Sequence, residues 1–454
     1  MSNQKRYNTF RLTFPEFTYE GYHYNVQSDG LHISFDFRLN DRIVFHPEAT
    51  IAARPFLSAR QEDDELIDNL VFNIGMIELV SYWKAFCSPR VRILPHALDD
   101  GQISFWKKIY FNGLGEFFYV NGISASEHDF MTIVSEGSPC HAMPVAPLQG
   151  NEADSYIVPI GGGKDSVVSL ELLSKLSRPS SRPLPLVMNP RGATLGCCEA
   201  AGYCRDDIIE IRRTIDPLLL DLNGKGALNG HTPFSAMLAF YTLLASSMAG
   251  RRNIALSNEN SANEATDIAS GVNHQYSKSL EFENDFRAYV RKYISSDFNY
   301  FSFLRPLSEL QIAMLFSRQA KYHDIFRSCN VGSKQDVWCG HCPKCLFAFI
   351  ILSPFIEPER LVQIFGHNLL DDEALRPAFR QLTGQDPVKP FECVGTIDEV
   401  NAALRMSLAK YYKDGRPCLL CGYEPVGKEV PLHTLTDEHN LIAGELSILK
   451  QYVL

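Results

Sequence analysis

The 454-residue sequence predicts an α/β protein: a doubly wound parallel sheet, an N-terminal α+β domain and a mainly helical C-terminal part. Three observations lead there. From about residue 155, short apolar runs alternate with helical patterns. One of those runs ends in a glycine loop that opens a helix. Before residue 150 the pattern is different, with alternating strand-like stretches around one long amphipathic segment. The expected domains are therefore 1–150, 151–390 and a tail, 391–454.

Each element follows from its local pattern. Phe10 to Phe14 alternates apolar and polar residues and predicts a strand, as does Leu31 to Leu39. A helix is predicted from about Glu65 to Phe86, with Leu66, Leu70, Ile74, Ile77 and Val80 along one face and Pro89 as its stop. Gln102 to Val120 is aromatic and strand-like, apart from a helical turn near Trp106. The Gly- and Pro-containing stretch Glu136 to Asp154 reads as a linker. Tyr156 to Ile160 is the strand before the glycine loop, whose helix runs to about Leu176. Further strands are Leu184 to Met188, Ile208 to Ile211 and Asn253 to Ser257. Pro233 opens a helix to about Met248, closed by Gly250, with Thr232 as a candidate cap. Residues 305 to 383 read as mainly helical, and the tail carries one clear helix, about Ile397 to Tyr412. No repeat or low-complexity segment interrupts this order.

Composition excludes some partners. A net charge of −10 provides no general basic surface, so nucleic acid is not an expected partner. The start, Met1 to Arg6, leads into no apolar stretch, so no signal peptide is read. The longest apolar run, Leu346 to Leu352, is too short to cross a bilayer. Twelve cysteines without a secretion signal fit a reducing, cytoplasmic setting, where they serve as thiols or metal ligands.

In a doubly wound sheet, ligands collect at the C-terminal strand ends. Gly161-Gly162-Gly163-Lys164-Asp165-Ser166 lies at such an end. Strand, glycine loop and helix form a phosphate cradle, because glycines admit close approach and the helix start offers free N–H groups. A Walker A loop needs Ser or Thr directly after its Lys, and here Asp165 follows Lys164. The dinucleotide fingerprint is absent as well. A second such strand end carries Asn258 and Glu259, whose polar side chains suit ribose, magnesium or substrate, or simply cap the next turn. His231 follows a glycine-rich loop. If Val272 to Ser279 is helical, His274 and Lys278 share a face. Arg305 sits at a turn before a helix and suits a carboxylate or phosphate. For each of these the plain alternative is a solvated surface.

Cys339, Cys342 and Cys345 fall within seven residues, with Cys329 ten positions earlier. Four thiolates at this spacing suit a closed, structural zinc site, with Gly340 easing the loop and His341 pointing outward. An iron–sulfur cluster and free thiols are the competing readings. Cys418 and Cys421 lack a second pair and read as plain thiols, and Cys197, Cys198 and Cys204 show no ligand spacing.

The glycine loop resembles the PP-loop, S-G-G-x-D-S, of the ATP pyrophosphatase superfamily, with Gly161 in place of the first Ser. The cysteine cluster resembles the zinc site of 7-cyano-7-deazaguanine synthase, another PP-loop enzyme. G-G-G-K-D-S, N-G-H-T-P, S-N-E-N-S-A, V-N-H-Q-Y-S-K-S, L-R-P-L-S-E-L, W-C-x-x-C-P-K-C and K-P-F-E-C-V-G together resemble the MurL-type UDP-N-acetylmuramoyl-L-alanyl-L-glutamate epimerases, over about residues 155 to 395. That resemblance implies inversion of the terminal L-Glu of UDP-MurNAc-L-Ala-L-Glu with consumption of ATP, release of AMP and diphosphate, and a need for Mg2+. It implies that Gly161, Gly162, Gly163, Lys164, Asp165 and Ser166 hold the phosphates, with Asp165 on magnesium and Asn258 at the nucleotide. Lys278 and Arg305 are then candidates for the carboxylate or α-phosphate, and His231, Glu259 and His274 for proton transfer. The N-terminal domain is left to hold the UDP-sugar arm, and zinc would brace loops near the nucleotide. Two other readings stand beside this one: a PP-loop ligase that joins an adenylated carboxylate to ammonia, and a nucleotide-binding module without turnover.

Overall fold

The computed structural model describes residues 2–53, 64–139, 155–177, 181–267, 269–411 and 415–454. It resolves into two compact units, each assembled from three chain segments. The first unit comprises Met1–Ile157, Asp206–Ile254 and Tyr276–Tyr300, and the second Val158–Arg205, Ala255–Gln275 and Phe301–Leu454. The strands, in chain order, are β1 Glu16–Gln27, β2 Gly30–Leu39, β3 Ile43–Phe45, β4 Glu48–Ala52, β5 Arg90–Ile93, β6 Thr132–Ser135, β7 Tyr156–Pro159, β8 Leu184–Met188, β9 Ile209–Arg213, β10 Asn253–Leu256 and β11 Asn299–Ser302. The α/β class read from the sequence holds.

In the first unit the strand order is β9-β4-β2-β1-β5-β6, with β3 against β2. The pairs β1–β2, β2–β4 and β4–β9 are antiparallel, while β1–β5 and β5–β6 are parallel. Leu31, Ile33, Phe35, Phe37 and Leu39 alternate inward along β2, as their period of two requires. They face the helix Asp64–Trp83. That helix lies close to β1 because Gly75 has no side chain: a Cβ there would fall 1.9 Å from the Tyr19 hydroxyl. Phe72 stacks on Tyr19 at 5.9 Å, and Tyr82 fills the space between Phe37 and Phe45.

Two expectations in this unit are corrected. Phe10 to Phe14 is not a strand: Asn3–Thr13 is a helix, capped by Ser2, whose side chain accepts the Lys5 N–H. Tyr7, Phe10 and Phe14 recur at helical spacing, and both Phe rings pack on Phe86. Gln102 to Val120 is likewise helical, as Asp100–Gly113 and Gly115–Val120. Asp99 and Gln102 form a capping box, and Trp106, Ile109 and Tyr110 bury one face against Phe240 and Tyr289. Aromatic content imitated a strand where the period was helical. The long helix ends at Trp83, before Pro89, in a turn where Cys87 takes a φ of 55°. Residues 140–154 of the expected linker lie outside the described residues.

In the second unit the order is β11-β10-β7-β8, and β10 pairs with β7 in parallel. The core helix is Pro343–Leu352, apolar on every side and buried from Lys344 to Leu352. The helices Glu309–Ser317, Arg376–Leu382 and Ile397–Tyr411 pack around it. The tail carries a second helix, Ala443–Val453, beyond the one expected. It packs on Lys164–Leu176, with the Lys175 ammonium 4.1 Å from the Tyr452 ring centroid. Among the described residues, no helix is long and apolar enough to cross a membrane.

Candidate functional site

The glycine loop connects β7 to the helix Lys164–Leu176. The Ile160 N–H donates to Leu186 O of β8 at 2.7 Å, which aims the chain into the turn. Gly162 then takes φ +82°, a conformation that disfavours other residues, and sits over the start of the helix Gly192–Ala200. A Cβ on Gly162 would lie 3.1 Å from the Ala193 carbonyl carbon, the Ala193 Cβ and the Thr194 nitrogen. At Gly161, by contrast, a Cβ would meet nothing within 4 Å, so a serine fits where the PP-loop pattern has one. Gly163 is the N-cap of the helix and supplies no capping side chain, which leaves the first-turn N–H groups to a ligand or solvent. Ser166 Oγ donates to Gly163 O at 3.1 Å.

Lys164 is turned inward. Its ammonium pairs with Asp165 and with Glu309, whose side chain is 2% exposed against 28% for Asp165. Burial opposes the ammonium's charge, but the two carboxylates outweigh it and hold Lys164 protonated above the ordinary lysine range. Burial pushes the Glu309 carboxyl up; Lys164 pulls against this, and the charges of Asp165 and Glu259 add to it. Glu309 was not read from the sequence as a site residue. Its neighbours Ser308 and Gln311 form a capping box, so a Glu in the first turn looked like ordinary helix-end chemistry. Glu399 was missed too: its buried carboxylate accepts the N–H groups of Glu309 at 2.8 Å and Thr396 at 2.7 Å.

Asn258, Glu259 and Arg305 come together beside this network. Arg305 is fully buried: Nη1 donates to Glu259 O at 2.7 Å and Nη2 to Ser302 Oγ at 3.1 Å. Asn258 Nδ2 donates to the same Ser302 Oγ at 3.0 Å. Arg305 thus fixes the backbone that carries Glu259. His274 also lies in the second unit, edge-on to Phe391, its N–H donating to Thr266 Oγ1. The helix that would have put His274 and Lys278 on one face is not formed: only Tyr276–Lys278 makes a short 3₁₀ turn.

Lys278 and His231 belong to the first unit. His231 Nδ1 is 3.5 Å from Glu116 Oε2. The loop before it is held by the buried Lys84, whose ammonium donates to Gly230 O at 2.6 Å. Burial, with repulsion from Arg213, lowers Lys84 to about 8. Pro233 occupies the N-cap position expected of Thr232, and no side chain caps the helix Phe234–Met248.

The four cysteines converge. Sγ separations are 3.8 Å for Cys329–Cys342, 3.6 Å for Cys339–Cys345 and 3.5 Å for Cys342–Cys345, and all four sulfurs lie within 4.8 Å of one another. Four sulfurs about 2.3 Å from a tetrahedral zinc stand roughly 3.8 Å apart, so the set fits zinc. The N–H groups of Gly332 and Cys345 donate to Cys329 and Cys342 sulfurs, Gly340 takes φ +76°, and His341 points outward. The Arg327 N–H, two residues before Cys329, donates to Gly162 O at 2.8 Å, which ties the cluster to the glycine loop.

An α/β chain with this loop and thiol cluster matches one family over most of its length. Residues 9–303 match the MurL N-terminal domain and residues 325–422 the MurL C-terminal domain. The UDP-N-acetyl-alpha-D-muramoyl-L-alanyl-L-glutamate epimerase of Micromonospora sp. is 37% identical over 333 residues, 72% of each chain. Those of Salinispora tropica and Xanthomonas oryzae pv. oryzae are each 36% identical, over 361 and 353 residues; the first alignment covers 77% of this chain and 76% of the relative, the second 75% of each. No solved structure matches. The protein is an epimerase, an isomerase. The chain belongs to the MurL family.

Proposed function

We propose that this enzyme inverts the terminal L-Glu of UDP-MurNAc-L-Ala-L-Glu to D-Glu in peptidoglycan precursor synthesis, in the cytoplasm, with ATP as co-substrate. An α-proton beside a carboxylate is a very weak acid, since its loss builds a second negative charge next to the first. Adenylating the carboxylate with ATP expels diphosphate, removes the first charge and provides an electron sink; hydrolysis of the acyl-adenylate afterwards restores the acid and releases AMP.

The observation that carries the ATP half is the loop itself: Gly162 at positive φ, followed by the uncapped helix start at Gly163. We read the second unit as a PP-loop domain in which Gly161, Gly162, Gly163 and Ser166 receive the phosphates. Asp165, the more exposed partner of Lys164, offers the hard oxygen ligand that Mg2+ prefers. Cys329, Cys339, Cys342 and Cys345 would hold a zinc ion that braces the loop and takes no part in the reaction. Arg305 supports Glu259 from within the fold, leaving His231, Glu259 and His274 as the proton-transfer candidates.

The test is incubation with MgATP and UDP-MurNAc-L-Ala-L-Glu in D2O. Deuterium at the Glu α-carbon, D-Glu after acid hydrolysis and AMP release are expected together. An amide product in a parallel incubation with ammonium would favour the ligase reading, and AMP without inversion would refute the epimerisation. Inversion without ATP would remove the adenylation step.

A further inference from the structure

We infer that Glu309 is a positioning residue for the glycine loop: through Lys164 it keeps the Asp165 carboxylate and the loop backbone in the register that receives the ATP phosphates. This rests on the ATP-dependent reading above.

Lys164 is the first residue of its helix, where a cation opposes the helix dipole, and the preceding Gly163 supplies no cap. Two carboxylates share its ammonium, and their exposures differ. The buried one, Glu309, draws Lys164 inward, so that Asp165 is held at the surface end of the pair.

Glu309 itself is fixed from several sides. Its N–H is taken by Glu399, and the Ser308–Gln311 capping box defines the start of its helix. Residues of the tail hold the same turn: Gln311 Nε2 donates to Leu432 O and Thr434 O, and the Thr436 N–H to Pro306 O. These bonds hold the backbone turn that carries Glu309, so its buried carboxylate can set the position of Lys164 rather than follow it. Glu259 and Lys344 are the other charges acting on Glu309.

The alternative is that Glu309 is only a buried counter-ion whose loss destabilises the fold. The two differ in what happens to ATP. The test compares full-length wild type, Glu309→Gln and Glu309→Asp by thermal unfolding, by calorimetric titration with MgATP and by initial rates of AMP release. For Glu309→Gln we expect Kd and KM for ATP to rise at least about tenfold, with KM for the UDP-dipeptide within about twofold of wild type. Glu309→Asp, which keeps the charge but draws it back by one methylene, should raise KM for ATP by a smaller factor, about threefold, with KM for the UDP-dipeptide unchanged. A folded Glu309→Gln with wild-type ATP affinity overturns the inference, as does an equal loss of affinity for both substrates. If Glu309→Gln fails to fold, Glu309→Asp carries the test: a shift in KM for ATP alone supports positioning, and no shift overturns it. Failure of both to fold marks Glu309 as a folding residue and overturns it too. Wild type that binds no MgATP removes the ATP reading and this inference with it, whereas binding by wild type with no change in the variants removes this inference alone.

Discussion

Replacing Gly162 with alanine should cost the second unit about 1–5 kcal/mol, from two sources that can be worked separately, less a return from the unfolded chain. At φ +82° a Cβ crowds its own backbone, a penalty of roughly 1–2 kcal/mol. The added methyl would also lie 3.1 Å from Ala193 and Thr194 atoms. Those atoms belong to the backbone and Cβ of a helix start that cannot swing aside, so overpacking adds about 1–3 kcal/mol. The stiffer unfolded chain returns roughly 0.4–1 kcal/mol. Gly161→Ser is the matched control: its Cβ meets open space, and the change should stay within about 0.5 kcal/mol. Urea unfolding of both variants, with MgATP titration alongside, reads the difference. Gly162→Ala with a wild-type midpoint and wild-type ATP affinity would refute the strained-loop argument. So would Gly161→Ser behaving like Gly162→Ala.

Further expectations concern metal and pH. Purified protein should carry about one zinc per chain by elemental analysis, and Cys342→Ser should lose it; zinc-free protein with normal stability would count against a metal at the cluster. Lys84 gives a pH signature in the first unit. Its folded-state value, about 8, lies below the ordinary 10.5, so burying its charge is a penalty present in full below pH 8 and relieved as pH rises from 8 to 10.5. That penalty is at most about 3 kcal/mol. The urea midpoint of wild type relative to Lys84→Met should therefore rise across this window, and a flat difference would show that Lys84 is not desolvated as described.

How much of this was legible in the sequence depended on how local the cause was. β2, β8, β10 and the helix after the glycine loop were readable because a period of two, a glycine turn or a 3.6-residue stripe is complete within ten or so residues. Phe10 to Phe14 was misread because five alternating residues also satisfy a helix when Tyr7 is counted with Phe10 and Phe14. Gln102 to Val120 was misread because its capping box, Asp99 with Gln102, lies at the very edge of the aromatic stretch. At the site, the four cysteines were legible from spacing alone, and the structure brings them within bonding range of one ion. Glu309 and Glu399 were not legible. Each is defined by partners 145 and 90 positions away in the chain, and each looks locally like a helix-end carboxylate. Arg305 was visible as a residue, but its burial against the Glu259 carbonyl was not.

The bond from Arg327 to the Gly162 carbonyl has a consequence for the chemistry of oxidation. Closing a disulfide between Cys329 and Cys342 would draw sulfurs now 3.8 Å apart to about 2.05 Å. The segment that would be dragged includes Arg327, two residues before Cys329 and bonded to the glycine loop, and Ser328 Cβ already lies 3.4 Å from where a Gly163 Cβ would stand. An ion seated among the four thiols would prevent that closure by occupying the space between them. Such an ion would serve as a spacer as much as a staple, shielding the geometry of the glycine loop from the redox state of the cell.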